Sequence, residues 1–235
     1  MTIQEAIKAR HAVRSYTDRP IEQEKIDELT KLMNDINAKS GLHIQLVLND
    51  PKAFDNRLAH YGKFSGVNNY FAIIGSKKNA KATVGETSLD EIMGYWGEHL
   101  VLKAQMLGLN TCWVGMTFKK NPAVLQMNDG EKVRCVIPVG YGTTQGVSHP
   151  VKAIDKVTKL KLNQPGEAMP EWFRKGIEAA LLAPTAVNQQ KFKFSLIGEK
   201  YVHAKAGLGF FSKVDLGIAK YHFEIGAGKD HFEWV

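Results

Sequence analysis

The chain has 235 residues, long enough for one large domain or two small ones around a sizeable core. Apolar residues make up 44% and charged residues 23%, and no apolar run reaches the roughly 18 residues of a membrane span, which speaks for an ordinary globule and against a membrane protein. The formal charge of +7 favours anionic partners, but the lysines are scattered and no helix-turn-helix, zinc-finger or RNA-binding signature accompanies them. A phosphorylated cofactor or substrate therefore fits the charge better than nucleic acid does.

In chain order, residues 2–10 read as a short helix, with Gln4 and Glu5 inside it, unlike a signal peptide. The expected location is the cytoplasm. "RHAVRSYTDRPI" follows, ending in the turn Asp18-Arg19-Pro20. A second helix spans 22–36, with Ile26, Leu29, Leu32, Met33 and Ile36 on one face, and Ser40-Gly41 stops it. "HIQLVLND" alternates as a strand and ends at Asp50-Pro51; "NYFAIIGS" reads as a buried strand. The longest helix covers 89–107, with Gly108 as its C-cap. "TCWVGMTF" and "VRCVIPVGYG" read as two more buried strands, and 145–170 as a lysine-rich connector punctuated by Pro and Gly.

The last third repeats an earlier order. Helix 171–183, a loop and strand 192–198 mimic helix 22–36, its loop and strand 43–49; the helix "VDLGIAKYHFEIGAG" follows, and "HFEWV" resembles "NTCWV". This is the pattern of a degenerate second copy that lost most of the segment between strand and long helix. Cys112 and Cys135 lie in apolar runs and read as buried free thiols; no CxxC or HExxH spacing suggests a metal.

Two stretches could carry chemistry. "RHAVR" places Arg10, His11 and Arg14 at the end of a helix, where forked guanidinium donors suit phosphate oxygens; a solvated basic turn has the same look. "APTAVNQQ" (183–190) gathers Thr185, Asn188, Gln189 and Gln190 at a helix-to-strand corner. Glycines at the ends of "TCWVGMTF" and "VIPVGYG" would let the backbone approach a flat ligand, or simply end a strand in a turn. Trp96 and Trp113 read as core, His99 and His222 as helix-surface or packing residues, and Tyr61, Phe64 and Tyr70 as packing or pocket residues.

Four segments together resemble the FMN-dependent nitroreductase family: "KARHAVRSYTDRPI" its N-terminal signature, "APTAVNQQ" its APSAxNxQPW corner, "GLNTCWVG" its LGxGTCWxG strand, and "VDLGIAKYHFEIGAG" its DxGIAxxN helix. Members of that family bind FMN between two subunits, one giving the basic signature and the other the APSAxN corner. Here "NDINAKSG" stands where the corner usually lies, and the corner sits in the second copy instead. The chain is most similar to the branch in which two subunits are fused.

The resemblance implies an α+β fold, a mixed sheet flanked by helices, built as a pseudo-dimer within one chain. Residues 1–160 would form the first half and 161–235 the degenerate second half that completes one flavin site; the reciprocal site, near 165–176, would be dead. Arg10 and His11 would hold the FMN phosphate and ribityl chain. Arg14 would stand near flavin N1 and O2, raising the flavin's potential. Val114, Gly115 and Met116 would run along the ring, and Asn68 or Asn69 would reach its pyrimidine edge. Lys152, or less so His149, would bind phosphate. Pro184, Thr185, Asn188 and Gln189 would close the site from the other half. Ala12 replaces the family's usual Ser, a loss of one hydrogen bond worth about 0.5–1.5 kcal/mol, and Lys191 and Phe192 replace the "PW". The implied activity is hydride transfer from NADH or NADPH through flavin N5 to a small electron-poor acceptor, a nitroaromatic or quinone, in a monomer with no nucleic-acid or membrane partner. Alternatives are an oxygen-using or dehalogenating enzyme on the same fold, and a flavin-binding protein without turnover.

Overall fold

The computed structural model describes residues 1–55, 62–82, 88–120, 123–161 and 168–235. Helix α1 (Ile3–Ala9) opens with a capping box: Thr2 Oγ1 accepts from the Glu5 N–H, and the Glu5 carboxylate accepts from the Thr2 N–H. Helix α2 (Gln23–Ser40) runs one turn past Ile36, because the backbone turns left-handed only at Gly41, whose N–H bonds the Asn37 carbonyl.

Strands β1 (Gln45–Val47), β2 (Tyr70–Gly75), β3 (Asn110–Thr111) and β4 (Lys132–Gly140) form an antiparallel sheet in the order β1-β2-β4-β3. All six residues of β2 are buried, as its unbroken apolar run requires. Helix α3 (Leu89–Met106) starts on a Ser88 cap and is buried on most of its circumference. After a one-turn helix α4 (Ile154–Val157), strands β5 (Thr158–Lys161), β6 (Phe192–Ile197), β7 (Tyr201–Ala206) and β8 (Glu233–Trp234) form a second, mixed sheet in chain order. β5 and β8 are parallel to their neighbours and the β6–β7 hairpin is antiparallel. Helices α5 (Glu171–Leu181) and α6 (Ser212–Ala227) cover it.

The centre of the molecule is the crossing of α3 and α6. A Cβ on Gly94 would stand 2.1 Å from the Val214 carbonyl oxygen, and one on Gly217 would stand 2.0 Å from that of Glu91. One and the same shift along the chain exchanges the two contacts. Only glycine allows backbones this close. Around the crossing, a single apolar cluster joins residues of both sheets, from Leu29, Ile36 and Phe71 to Phe173, Phe194 and Phe223. A smaller cluster, with Val13, Tyr16, Phe54, Phe64 and Tyr70, lies beside it.

The α+β class and the mixed sheet flanked by helices are as expected; two local readings are corrected, and two short elements add to them. The connector 145–170 contains α4 and β5. "TCWVGMTF" is a strand only at its start: after Thr111 the Val114–Val136 bridge is its remaining pairing, and the chain leaves the sheet. The reason lies at Gly115, where a Cβ would fall 2.3 Å from the Phe211 ring; packing against that ring replaces sheet pairing. β7 was not expected, since its alternation uses small residues, Ala204 and Ala206, beside exposed His203 and Lys205. "HFEWV" supplies only the two-residue β8. Tyr61 lies outside the described residues, as does part of 145–170.

Candidate functional site

One cavity of about 430 Å³ lies where early and late parts of the chain meet. Ala12 and Arg14 contribute from the segment after α1, and Gly62 to Phe64 from the turn before β2. Cys112 to Thr117 form the wall that leaves the first sheet; Pro184 to Val187 face it, with Phe211, Val214, Asp215 and Ile218 from the start of α6.

Of the residues named from sequence, the fold brings Arg14, Val114, Gly115, Met116, Pro184 and Thr185 to this cavity. Arg14 is exposed, its guanidinium carbon 6.0 Å from the centre of the Phe64 ring, and among the described residues it has no carboxylate partner. Lys63, also exposed and on the cavity, is likewise unpaired among them.

The other named residues do not line this cavity. Arg10 is 4% exposed: its Nη2 donates to the Leu182 carbonyl at 3.2 Å and its Nε lies 3.9 Å from Glu98. Glu98 also accepts from Trp113 Nε1 at 2.8 Å and bonds His222 Nε2 at 2.9 Å, while His222 Nδ1 faces the Ala179 carbonyl at 3.1 Å. This buried knot ties α1, α3, α5 and α6 together behind the cavity. Burial holds the Arg10 pKa below its usual value, with Glu98 opposing. His11 packs on Gly146, its pKa lowered by burial, then by Arg10 and His149. Asn69 accepts from the Asn49 N–H through its side chain at 3.1 Å, and the Asn68 carbonyl accepts from the Asp50 N–H at 2.8 Å. Lys152 Nζ donates to the carbonyls of Gln189 at 2.8 Å and Gln190 at 3.0 Å. His149 Nε2 lies 3.2 Å from the Leu181 carbonyl.

The "APTAVNQQ" corner is strained. Val187, Asn188 and Gln190 have φ of 47°, 53° and 44°, the left-handed region that a β-branched residue such as Val187 rarely adopts. Asn188 Nδ2 and Gln190 Nε2 donate to the Pro150 carbonyl at 2.9 and 2.8 Å, and Thr185 Oγ1 accepts from the Gln190 N–H at 3.1 Å. Gln189 Nε2 donates to the Phe210 carbonyl and to Asp215. Burial pushes the Asp215 carboxyl up to about 6, against the pull of its bonds to Gln189 and Ala186.

Reading the sequence missed Lys63, Val187, Phe211 and Asp215. Asp215 heads the "DLGIA" stretch and could have been found there; Phe211 carries no such signal. Trp96 packs in the core and Trp113 shows one face to the cavity. His99 is stacked against Tyr221 with ring centres 3.6 Å apart, its pKa pushed down to about 3 by burial, then by Lys229 and Lys39. Tyr70 is core, donating to Asp50 at 2.8 Å, and Phe64 is both core and cavity wall. Cys112 and Cys135 are free and buried; burial raises both thiol pKa values, that of Cys135 to about 12. Among the described residues no His, Cys, Asp or Glu cluster could hold a metal, and no helix is long and apolar enough to cross a membrane.

The donor set of this cavity fits a flavin. Phe64, Met116, Val187, Val214 and Ile218 offer apolar surface to a flat ring, and Arg14 and Lys63, two cations without carboxylate partners among the described residues, stand ready for anionic oxygens.

The fold and this cavity define a chain of the nitroreductase fold. A putative nitroreductase of Thermotoga maritima superposes with a TM-score of 0.66 at 24% identity, covering 98% of this chain and 85% of that one. One from Desulfovibrio desulfuricans, solved in complex with FMN, gives 0.52 at 18%, covering 72% of this chain and 99% of that one. Residues 2–227 match the sequence family described as "Putative TM nitroreductase", and the chain belongs to that family. A Methanothermobacter thermautotrophicus protein named "Putative NADH dehydrogenase/NAD(P)H nitroreductase" is 26% identical over 132 residues, which are 49% of this chain and 62% of that relative.

Proposed function

We propose that the protein is an FMN-dependent oxidoreductase that draws electrons from NADH or NADPH and delivers them to a small electron-poor acceptor such as a nitroaromatic or a quinone. The observation that carries this is the cavity itself: Arg14, a cation without a carboxylate partner among the described residues, shares it with the Pro184–Thr185 corner from the far end of the chain. When bound, the flavin supplies two-electron redox chemistry, accepting from the nicotinamide and giving to the acceptor.

The protein's part is to bind and orient. Arg14 would supply positive charge to the bound group, and Val114, Gly115 and Met116 bound one side of the slot while Pro184, Thr185 and Val187 bound the other. Lys63 supplies a second cation at the rim. Arg10, His11, Asn68, Asn69, Lys152, Asn188 and Gln189 act behind these, bracing the segments that carry them. Among the described residues Asp215 is the one carboxyl group lining the cavity, and both its oxygens already accept hydrogen bonds, so no free general acid is assigned.

Residues 1–160 supply the cation and 161–235 the corner, as two fused and diverged halves with one site per chain. The reciprocal Gly94 and Gly217 contacts support this division. A chain that completes its own site works as a monomer, and its expected place is the cytoplasm. The test is the absorbance spectrum of the purified protein incubated with FMN. A flavin band that NADH or NADPH bleaches anaerobically, and that an acceptor restores, is expected. A protein that leaves added FMN free in solution overturns the reading.

A further inference from the structure

We propose that Asp215 is the positioning residue of this site: its carboxylate holds the 184–190 corner in the backbone shape that makes one wall of the cavity, and so sets how tightly flavin is gripped. The proposal rests on the flavin reading above.

The corner holds three non-glycine residues at positive φ, and such a backbone persists only where its surroundings over-determine it. Its outer side is fixed to the connector by Lys152 and by the bonds to the Pro150 carbonyl. From the cavity side the restraint is Asp215. Its Oδ1 accepts from the Ala186 N–H at 3.0 Å and its Oδ2 from Gln189 Nε2 at 2.6 Å. These two donors straddle Val187, the β-branched residue at positive φ, which is 98% exposed on the cavity rim. Without the clamp nothing in its own packing would keep Val187 left-handed.

Asp215 itself is 3% exposed in the first turn of α6. Its burial raises the carboxyl pKa, so the charged form is disfavoured by the fold that contains it. A residue kept for stability alone would be neutral here; an acceptor with two oxygens is what two converging donors require. Asparagine has the same shape, but an NH2 replaces one of the two oxygens, so it meets either the Ala186 N–H or Gln189 Nε2 with a donor instead of an acceptor.

The test compares wild type, Asp215→Asn, Gln189→Ala and the double variant as full-length proteins. Three quantities are read: melting temperature without flavin, hydrogen exchange of the amides at 186–190, and the FMN dissociation constant by quenching of flavin fluorescence. Asp215→Asn should melt no lower than wild type, exchange those amides at least tenfold faster and bind FMN at least tenfold more weakly. Adding Gln189→Ala to it should weaken binding by less than Gln189→Ala does alone, because the two residues share the Gln189–Asp215 hydrogen bond. A variant that melts lower while exchange and FMN affinity stay at wild-type values would make Asp215 a packing residue and overturn the proposal. If wild type binds no FMN, the flavin reading fails, and the exchange measurement still decides whether Asp215 clamps the corner.

Discussion

The molecule turns from helix to strand twice in comparable settings, and the two corners are built in opposite ways. The early one ends α2 on Gly41 at φ 67°, with its N–H on the Asn37 carbonyl, and lies away from the cavity. The late one, between α5 and β6, turns through Val187, Asn188 and Gln190 at positive φ with no glycine, and it lines the cavity. The first corner is relaxed and ends a helix. The second is held in place from outside by Lys152, Asp215 and the backbone of Pro150. Strain in this fold is gathered at the site, and the groups that hold it there are the ones on which the site depends.

The largest expected effect comes from the brace behind the late corner. Glu98→Ala leaves Arg10, His222 and Trp113 without their shared acceptor in a fully buried place, and should cost about 3–5 kcal/mol in denaturant unfolding. Because Arg10 also holds the Leu182 carbonyl at the entrance to the corner, flavin affinity should fall with stability. A loss of under about 1 kcal/mol would mean that the knot does not brace the fold.

Next is the early corner. A Cβ on Gly41 would stand 1.9 Å from the Asn79 carbonyl oxygen, at a left-handed backbone angle. Gly41→Ala should therefore destabilise by about 2–3 kcal/mol and leave FMN affinity unchanged once refolded. An equal effect on flavin would erase the distinction between the corners.

The pH dependence is of similar or smaller size. The Asp215 carboxyl, raised from 3.8 to about 6, binds its proton more tightly in the folded chain than in the unfolded one. Its contribution to stability is complete below the unfolded value and is lost as pH rises through about 6. Between pH 4 and pH 7 the stability of wild type should fall by roughly 2–3 kcal/mol relative to Asp215→Asn. A gap between the two proteins that stays constant with pH would contradict this.

The smallest effect tests the strain directly. Asparagine tolerates the left-handed region, so Val187→Asn should raise the unfolding free energy by about 1 kcal/mol, the reverse of the change at Gly41. A loss of stability would show Val187 to be relaxed where it stands.

Much of this could be read from the sequence where a single physical rule dominates. The one-sided apolar face of α2, the unbroken apolar run of β2 and the long helix α3 follow from periodicity, and Arg14 and Thr185 follow from motif resemblance. What escaped was set by distant partners. β7 is half-exposed and rich in small residues, so its pattern is faint. "TCWVGMTF" has the composition of a strand, but the Phe211 ring takes the space beside Gly115. Arg10 looks like Arg14 in sequence and differs only in lying against Glu98, a residue on another helix. Val187 gives no sign of a left-handed backbone, because the bonds that impose it come from Asp215 and Pro150.

The central claim, a flavin held between an early cation and a late corner, is tested most directly by titrating FMN into the apoprotein and into its Arg14→Ala variant while following flavin fluorescence. Wild type should quench the flavin at a one-to-one ratio, and the variant should bind at least tenfold more weakly with an unchanged melting temperature, since Arg14 is exposed and without a carboxylate partner among the described residues. Equal affinities for the two proteins would contradict the account.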